Sequence, residues 1–140
     1  MNYAMSAWVL ILSPTPDAAT RPQVKIGITI DCPDPHQLAA FWEQFLGYVR
    51  RPDRGAGPYV TIDRPSGADG PPQLTFQRVP EAKTTKVRTH LDLFVEHAAP
   101  MVAEMVEAGA TSVAVTEAGE WTTRVLQDPA GNEFCVIGPD

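Results

Sequence analysis

The sequence predicts an α+β domain made of tandem βαβββ modules. Three observations lead there: strands with one apolar face, two amphipathic helical segments, and a second half that repeats the element order of the first. From Val24 onward, Ile26, Ile28 and Ile30 alternate with Lys25, Gly27, Thr29 and Asp31, the period of a half-buried strand. Asp34, Pro35 and Gln37 then read as N-cap, first helical residue and capping-box partner. Leu38, Phe41, Trp42, Phe45 and Leu46 follow at helical spacing, and Gly47 supplies a left-handed cap. Three shorter strands are predicted at Tyr48 to Arg51, Tyr59 to Asp63 and Gln73 to Val79, separated by turns rich in glycine and proline.

The segment from Pro80 to Lys86 is charged and lacks apolar periodicity, which marks a connector. After it the order begins again. Val87 to Val95 alternates, Ala98 to Ala108 is helical with Pro100 early and Gly109 at its end, and three strands follow at Ser112 to Thr116, Thr122 to Gln127 and Glu133 to Ile137. Laying Gly27 on His90 and Asp34 on His97 brings the two terminal glycines, Gly47 and Gly109, into register to within one residue. The domain is expected over residues 24–139, with module 1 at about 24–80 and module 2 at about 87–139. Residues 1–23, punctuated by Pro14, Pro16 and Pro22, read as a flexible leader.

Composition narrows the function classes. The net charge of −6 and pI near 4.9 provide no global positive field, so neither nucleic acid nor a membrane surface is an expected partner. The apolar run from Ala7 to Leu12 is far shorter than the roughly 20 residues of a spanning helix. No basic residue precedes it, since the first is Arg21, so it does not read as an export signal. Cys32 and Cys135 have no CxxC or histidine-spaced partner, which fits a reducing cytoplasm and excludes a disulfide framework.

The period of two also sorts the chemistry. Leu74, Phe76, Leu91, Leu93, Val95, Phe134 and Val136 share the apolar face, while Asp31, Thr75, Gln77, Arg88, His90, Asp92, Glu133 and Cys135 share the other. If the sheet curls, these residues line a cup. His90 and Asp92, two apart on one strand, are the candidate catalytic pair, a histidine beside a carboxylate being suited to proton abstraction next to a carbonyl. The competing reading is a polar sheet face whose histidine and aspartate pair with Arg88 or water.

Asp31, Gln77, Arg88, Trp121, Glu133 and Cys135 are the candidate substrate-binding residues, Trp121 as a cover over a flat ligand or over the sheet edge. Arg78, Lys83, Lys86 and Arg88 reverse the sign of the charge locally, and either draw an anionic ligand or merely face water. Trp42 and Phe45 read as core. The two cysteines read as small buried residues, although Cys135 could approach His90 across the cup.

Several segments resemble a known family. They are Ile28-Thr-Ile-Asp-Cys-Pro-Asp-Pro with the Leu38-Ala-Ala-Phe-Trp helix, Phe76-Gln-Arg-Val-Pro-Glu, Arg88-Thr-His-Leu-Asp-Leu and Asp128-Pro-Ala-Gly-Asn-Glu-Phe-Cys. Their order and spacing resemble the glyoxalase-like branch of the vicinal oxygen chelate superfamily, which includes glyoxalases, bleomycin resistance proteins and dioxygenases. The resemblance implies a cupped mixed sheet with helices on its outer side, a homodimer and a small-molecule ligand. It further implies lyase or isomerase chemistry around His90, or alternatively metal-free sequestration of a drug or metabolite.

The family commonly holds a divalent metal in the cup. Its ligand positions fall on Gly27, on Thr75 or Gln77, on His90 and on Cys135, so the resemblance implies His90 as a metal ligand within an incomplete set. A divalent metal is accordingly a disfavoured cofactor.

Overall fold

The structure, a computed structural model, describes residues 25–54, 57–66 and 70–140. The leader expected at 1–23 lies outside the described residues. The element order is β1 (Ile28–Cys32), α1 (Pro35–Leu46), β2 (Val49–Arg50), β3 (Tyr59–Asp63), β4 (Leu74–Arg78), β5 (Asp92–Phe94), α2 (Ala98–Glu107), β6 (Thr111–Ala118), β7 (Trp121–Gln127) and β8 (Glu133–Gly138). The strands form two four-stranded mixed sheets, ordered β1-β4-β3-β2 and β5-β8-β7-β6. In each, the first strand runs parallel to the fourth and the others pair antiparallel. The tandem βαβββ reading therefore holds, with the ladder divided between two sheets.

The helices form for the reasons their sequences suggest. Asp34 Oδ1 accepts from the backbone N–H groups of His36 (3.0 Å) and Gln37 (3.2 Å), satisfying two donors that the first turn leaves free. Gly47 closes α1 at φ 65°, where a side chain would be strained. Leu38, Phe41 and Trp42 are buried against the apolar residues Val60, Ile62, Leu74 and Phe76 of the first sheet. Met105 and Ala98 of α2 join Leu126, Phe134 and Val136 in the same core.

The two modules meet through α1 and β8 of the same chain. The Phe134 ring lies 4.9 Å from Trp42 and 6.3 Å from Phe41, both edge to face. Trp42 Nε1 donates to Asp128 Oδ2 at 3.4 Å. Asp128 Oδ1 accepts from Ala130 N (2.9 Å) and Asn132 N (3.0 Å), which folds the turn before β8 around one carboxylate. Burial nevertheless raises the Asp128 carboxyl above its ordinary range, the three donors opposing it. Asn132 Nδ2 reaches back to the Asp31 carbonyl at 3.2 Å, a second link between the modules.

Two strands depart from expectation. The alternation of Val87 to Val95 reads as one strand, yet β5 spans only Asp92–Phe94. The reason is a long-range contact: Val87 N donates to the Glu133 carboxylate at 3.0 Å, so the start of the segment bonds to a side chain instead of a ladder. Arg88 and His90 therefore lie on the approach to β5. Conversely, β6 runs from Thr111 to Ala118, longer than expected, with a register irregularity between Ser112 and Ala114.

Candidate functional site

The register of the second sheet assembles the site. Asp92 opens β5 and pairs with Cys135 of β8, and Cys135 N donates to the Leu91 carbonyl at 2.9 Å, which locks that pairing. Leu91 and Leu93 pack toward the core, so the alternate residues His90 and Asp92 turn to the opposite face, where Cys135 also points. His90 Nε2 lies 3.2 Å from Asp92 Oδ1, and both side chains are accessible, at 39% and 44%. One ligating atom from each of His90, Asp92 and Cys135 falls within 4.8 Å of the others.

Cys135 is buried, and its burial pushes the thiol above its ordinary range. The negative charge of Asp92 and a hydrogen bond with it add to the shift, while Lys86 works against it. Cys32 is similar: burial first, then Asp128 and Asp34, raise it to about 11, and its thiol donates to the Gln77 carbonyl at 3.7 Å. Both cysteines thus rest as protonated thiols at neutral pH.

His90 also borders a cavity of about 550 Å³, whose other walls include Gly27, Thr29 and Asp31 of the first module and Trp42, Asn132 and Glu133. A larger one, about 950 Å³, lies beside the connector, between Asp31, Glu81, Lys83 and Asn132. Asp31 is exposed and borders both cavities. Gln77, half-buried, is its ladder partner on β4. Arg88 is exposed, as are Arg78 and Lys86.

Trp121 opens β7, half exposed, two residues before Thr123, which pairs with Ile137. Ile137 also pairs with Phe94, so Trp121, Phe94, Ile137 and Cys135 share one face. Phe94 is 70% exposed there. Sequence reasoning passed over it, although the alternation from His90 and Asp92 extends to it.

Glu133 is bound into the fold. Its carboxylate accepts from Lys83 Nζ (2.8 Å) and Val87 N (3.0 Å), with Gln127 Nε2 at 3.5 Å. Lys83 first, and then the Val87 N–H, hold its carboxyl down at about 2. The residue straps the connector to β8, a role with no sequence signal because its partners lie 46 and 50 positions away. Of the basic cluster, Lys83 is thereby committed.

The first module does not complete the metal site that the resemblance implies. Gly27 has no side chain, and a Cβ there would meet the Gln73 side chain at 3.6 Å. The Thr75 hydroxyl is 3.0 Å from the Thr61 hydroxyl, in a hydrogen-bonded pair. Gln77 offers at most a neutral amide oxygen, a weak ligand beside a carboxylate or an imidazole. The residues present therefore do not fit a metal shared between the two modules.

Two βαβββ modules, each a four-stranded mixed sheet with one helix, are the fold of the vicinal oxygen chelate class. Residues 27–137 match the family model of the glyoxalase-like domain, and the chain belongs to that family. Among solved structures it is similar to a glyoxalase/bleomycin resistance protein/dioxygenase family enzyme from Burkholderia phytofirmans PsJN. The identity is 20% and the TM-score 0.66, over 81% of this chain and 97% of that one.

It is also similar to the fosfomycin resistance protein FosX from Mesorhizobium loti, at 12% identity and a TM-score of 0.62, over 86% of this chain and 95% of that one. A third is the bleomycin-binding protein of Streptomyces verticillus, solved with copper(II)-bleomycin, at 18% identity and a TM-score of 0.55, over 86% and 99%. At these identities the likeness speaks for the fold. None of the curated proteins compared matches the sequence.

Proposed function

We propose that the chain is a small-molecule lyase or isomerase of the glyoxalase-like type, with His90 as its acid–base group. The observation that carries this reading is the 3.2 Å approach of His90 Nε2 to Asp92 Oδ1 beside a cavity. A carboxylate at that distance favours the tautomer with hydrogen on Nε2, which leaves the Nδ1 lone pair free to take a proton. Asp92 then stabilises the imidazolium that forms, so the pair suits abstraction of an acidic C–H next to a carbonyl. In this reading Asp31, Gln77 and Arg88 contact the polar parts of the substrate, and Trp121 and Cys135 contact its apolar parts. Exposed Arg88, Arg78 and Lys86 favour a substrate carrying an anionic group.

A second reading, metal-free sequestration of a ligand, is favoured by the exposed Phe94 and Trp121 on the Cys135 face, which suit a flat apolar partner. A homodimer in the cytoplasm is proposed with either reading. Among the described residues β6 is an edge strand, and all eight of its residues are exposed, which supports self-association.

The test is deuterium exchange at carbon, followed by NMR, on carbonyl compounds with acidic C–H bonds, with trace chelator-treated protein. The acid–base reading expects catalytic exchange that is lost in His90→Ala and reduced in Asp92→Asn. Exchange that is equal in both variants and the parent sinks it. Stoichiometric protection of a compound that is never consumed favours sequestration.

A further inference from the structure

We propose that the apolar side of the seam between the modules binds a medium-chain carboxylate, an aliphatic tail with one anionic head. This goes beyond the acid–base reading and does not depend on it. A cavity of about 370 Å³ lies there, within the roughly 300–1,000 Å³ of small-molecule pockets. Ile28, Leu46, Tyr48 and Leu74 of the first module border it, and so do Leu91 and Leu93 of the second. Among the described residues it shares only Ile28 and Leu91 with the cavity that His90 borders.

The slot is built before any ligand arrives. The Tyr48 hydroxyl reaches the carbonyls of Pro71 (3.1 Å) and Pro72 (3.2 Å), which fixes these two bordering residues as a wall and lowers the ordering cost of binding. Asp92, the one acidic residue bordering the slot among those described, turns its carboxylate to His90 at 3.2 Å.

The mouth of the slot is basic. Arg64 and Pro72 border both the slot and a neighbouring groove, whose charged residues are Lys25, Arg54 and Arg64 against Asp63. Three cations and one carboxylate make this patch positive in a chain of net charge −6. Asp63 is held by Arg54 Nη1 at 2.7 Å and lies 3.6 Å from Arg64 Nε. Asp53, largely exposed, lies 4.0 Å from Arg54 Nε.

Arg64 Nη1 donates to the Gly70 carbonyl at 2.8 Å, whereas its Nε is buried and has no acceptor among the described residues. A buried guanidinium N–H without an acceptor is costly, and a carboxylate oxygen at the mouth satisfies it. The planar fork of arginine also matches the two oxygens of a carboxylate. Slot and mouth together therefore select one class of ligand: the tail lies among the leucines, and the head meets Arg64, with Lys25 and Arg54 adding attraction.

The test is isothermal titration of the full chain at neutral pH with hexanoate, heptanoate and octanoate, each below its micelle concentration. One equivalent should bind, and each added methylene should tighten binding about fourfold, the effect of burying one CH₂. Octanamide, of the same length and uncharged, should bind roughly tenfold more weakly or worse, through loss of the charged hydrogen bonds. Arg64→Gln should weaken octanoate by the same factor and leave octanamide unchanged. In the parent, methyl NMR signals of Leu74 and Leu93 should shift on binding while the His90 ring signals stay in place.

The proposal is overturned if octanoate does not bind, if affinity is flat across the three chain lengths, or if octanamide binds as tightly as octanoate. It is equally overturned if Arg64→Gln keeps the parent affinity, or if the NMR shifts fall on His90 instead of the leucines. No readout uses turnover, so failure of this site and failure of the acid–base reading are told apart.

Discussion

Truncating Phe134 to alanine tests the seam between the modules. Its ring is essentially inaccessible and packs edge to face on Trp42 at 4.9 Å and on Phe41 at 6.3 Å. Removing a buried phenylalanine costs about 3–5 kcal/mol, of which about 0.5–1.5 reflects an aromatic pair beyond its area. A domain of this size has a total stability of about 5–15 kcal/mol, so the loss consumes a large fraction of it. With a urea slope of about 2 kcal/mol per molar, the midpoint falls by roughly 2 M.

The assay is equilibrium unfolding in urea, read by far-ultraviolet circular dichroism and by fluorescence. A Trp8→Phe, Trp121→Phe background leaves Trp42 as the sole reporter. In the parent the two probes should coincide, because a seam of buried aromatics makes both modules unfold together. The exposed Phe94→Ala, on the opposite face, should shift stability by no more than about 0.5 kcal/mol. A loss below about 1.5 kcal/mol for Phe134→Ala, or two separate transitions in the parent, would refute the claim that this contact joins the modules.

Asp128→Ala leaves the N–H groups of Trp42, Ala130 and Asn132 without their acceptor, and thermal unfolding should show a loss of about 2–3 kcal/mol. Glu133, held at about 2 against 4.5 when free, has a depressed folded pKa. Its contribution is therefore present above pH 4.5 and lost as pH falls toward 2, so Glu133→Gln should flatten the acid limb of a Tm-against-pH profile between those values. Val115→Lys on the exposed edge of β6 should lower the sedimentation-measured dimer fraction without lowering Tm, and an unchanged fraction would remove that edge from the dimer proposal. Asp34→Ala should cost about 1 kcal/mol through loss of the α1 cap, readable by chemical denaturation.

Much of the fold was legible because it rests on local rules. Asp34, Pro35 and Gly47 bracket α1 through caps that act within one turn of chain. The alternation of Ile28 and Ile30 with Thr29 and Asp31 reports one buried face and one open face whatever the partner strand. The same period placed His90 and Asp92 together and allowed Cys135 to approach them. What it could not supply was extent, since Val87 to Leu91 alternate like a strand, yet the Val87 N–H goes to a carboxylate 46 residues away.

The sequence by itself determined the element order, the helix boundaries and the identity of the polar face, because periodicity and capping are properties of neighbouring residues, while the family was signalled by the resemblance of its motifs. Tertiary structure decided the rest. It gave Glu133 to Lys83 and Val87 and gave Trp42 to Asp128 and Phe134. It divided the ladder into two sheets, and it brought the Cys135 sulfur beside His90 and Asp92. Each of these depends on which distant group reaches a donor or acceptor first, and that competition is settled only when the chain is packed.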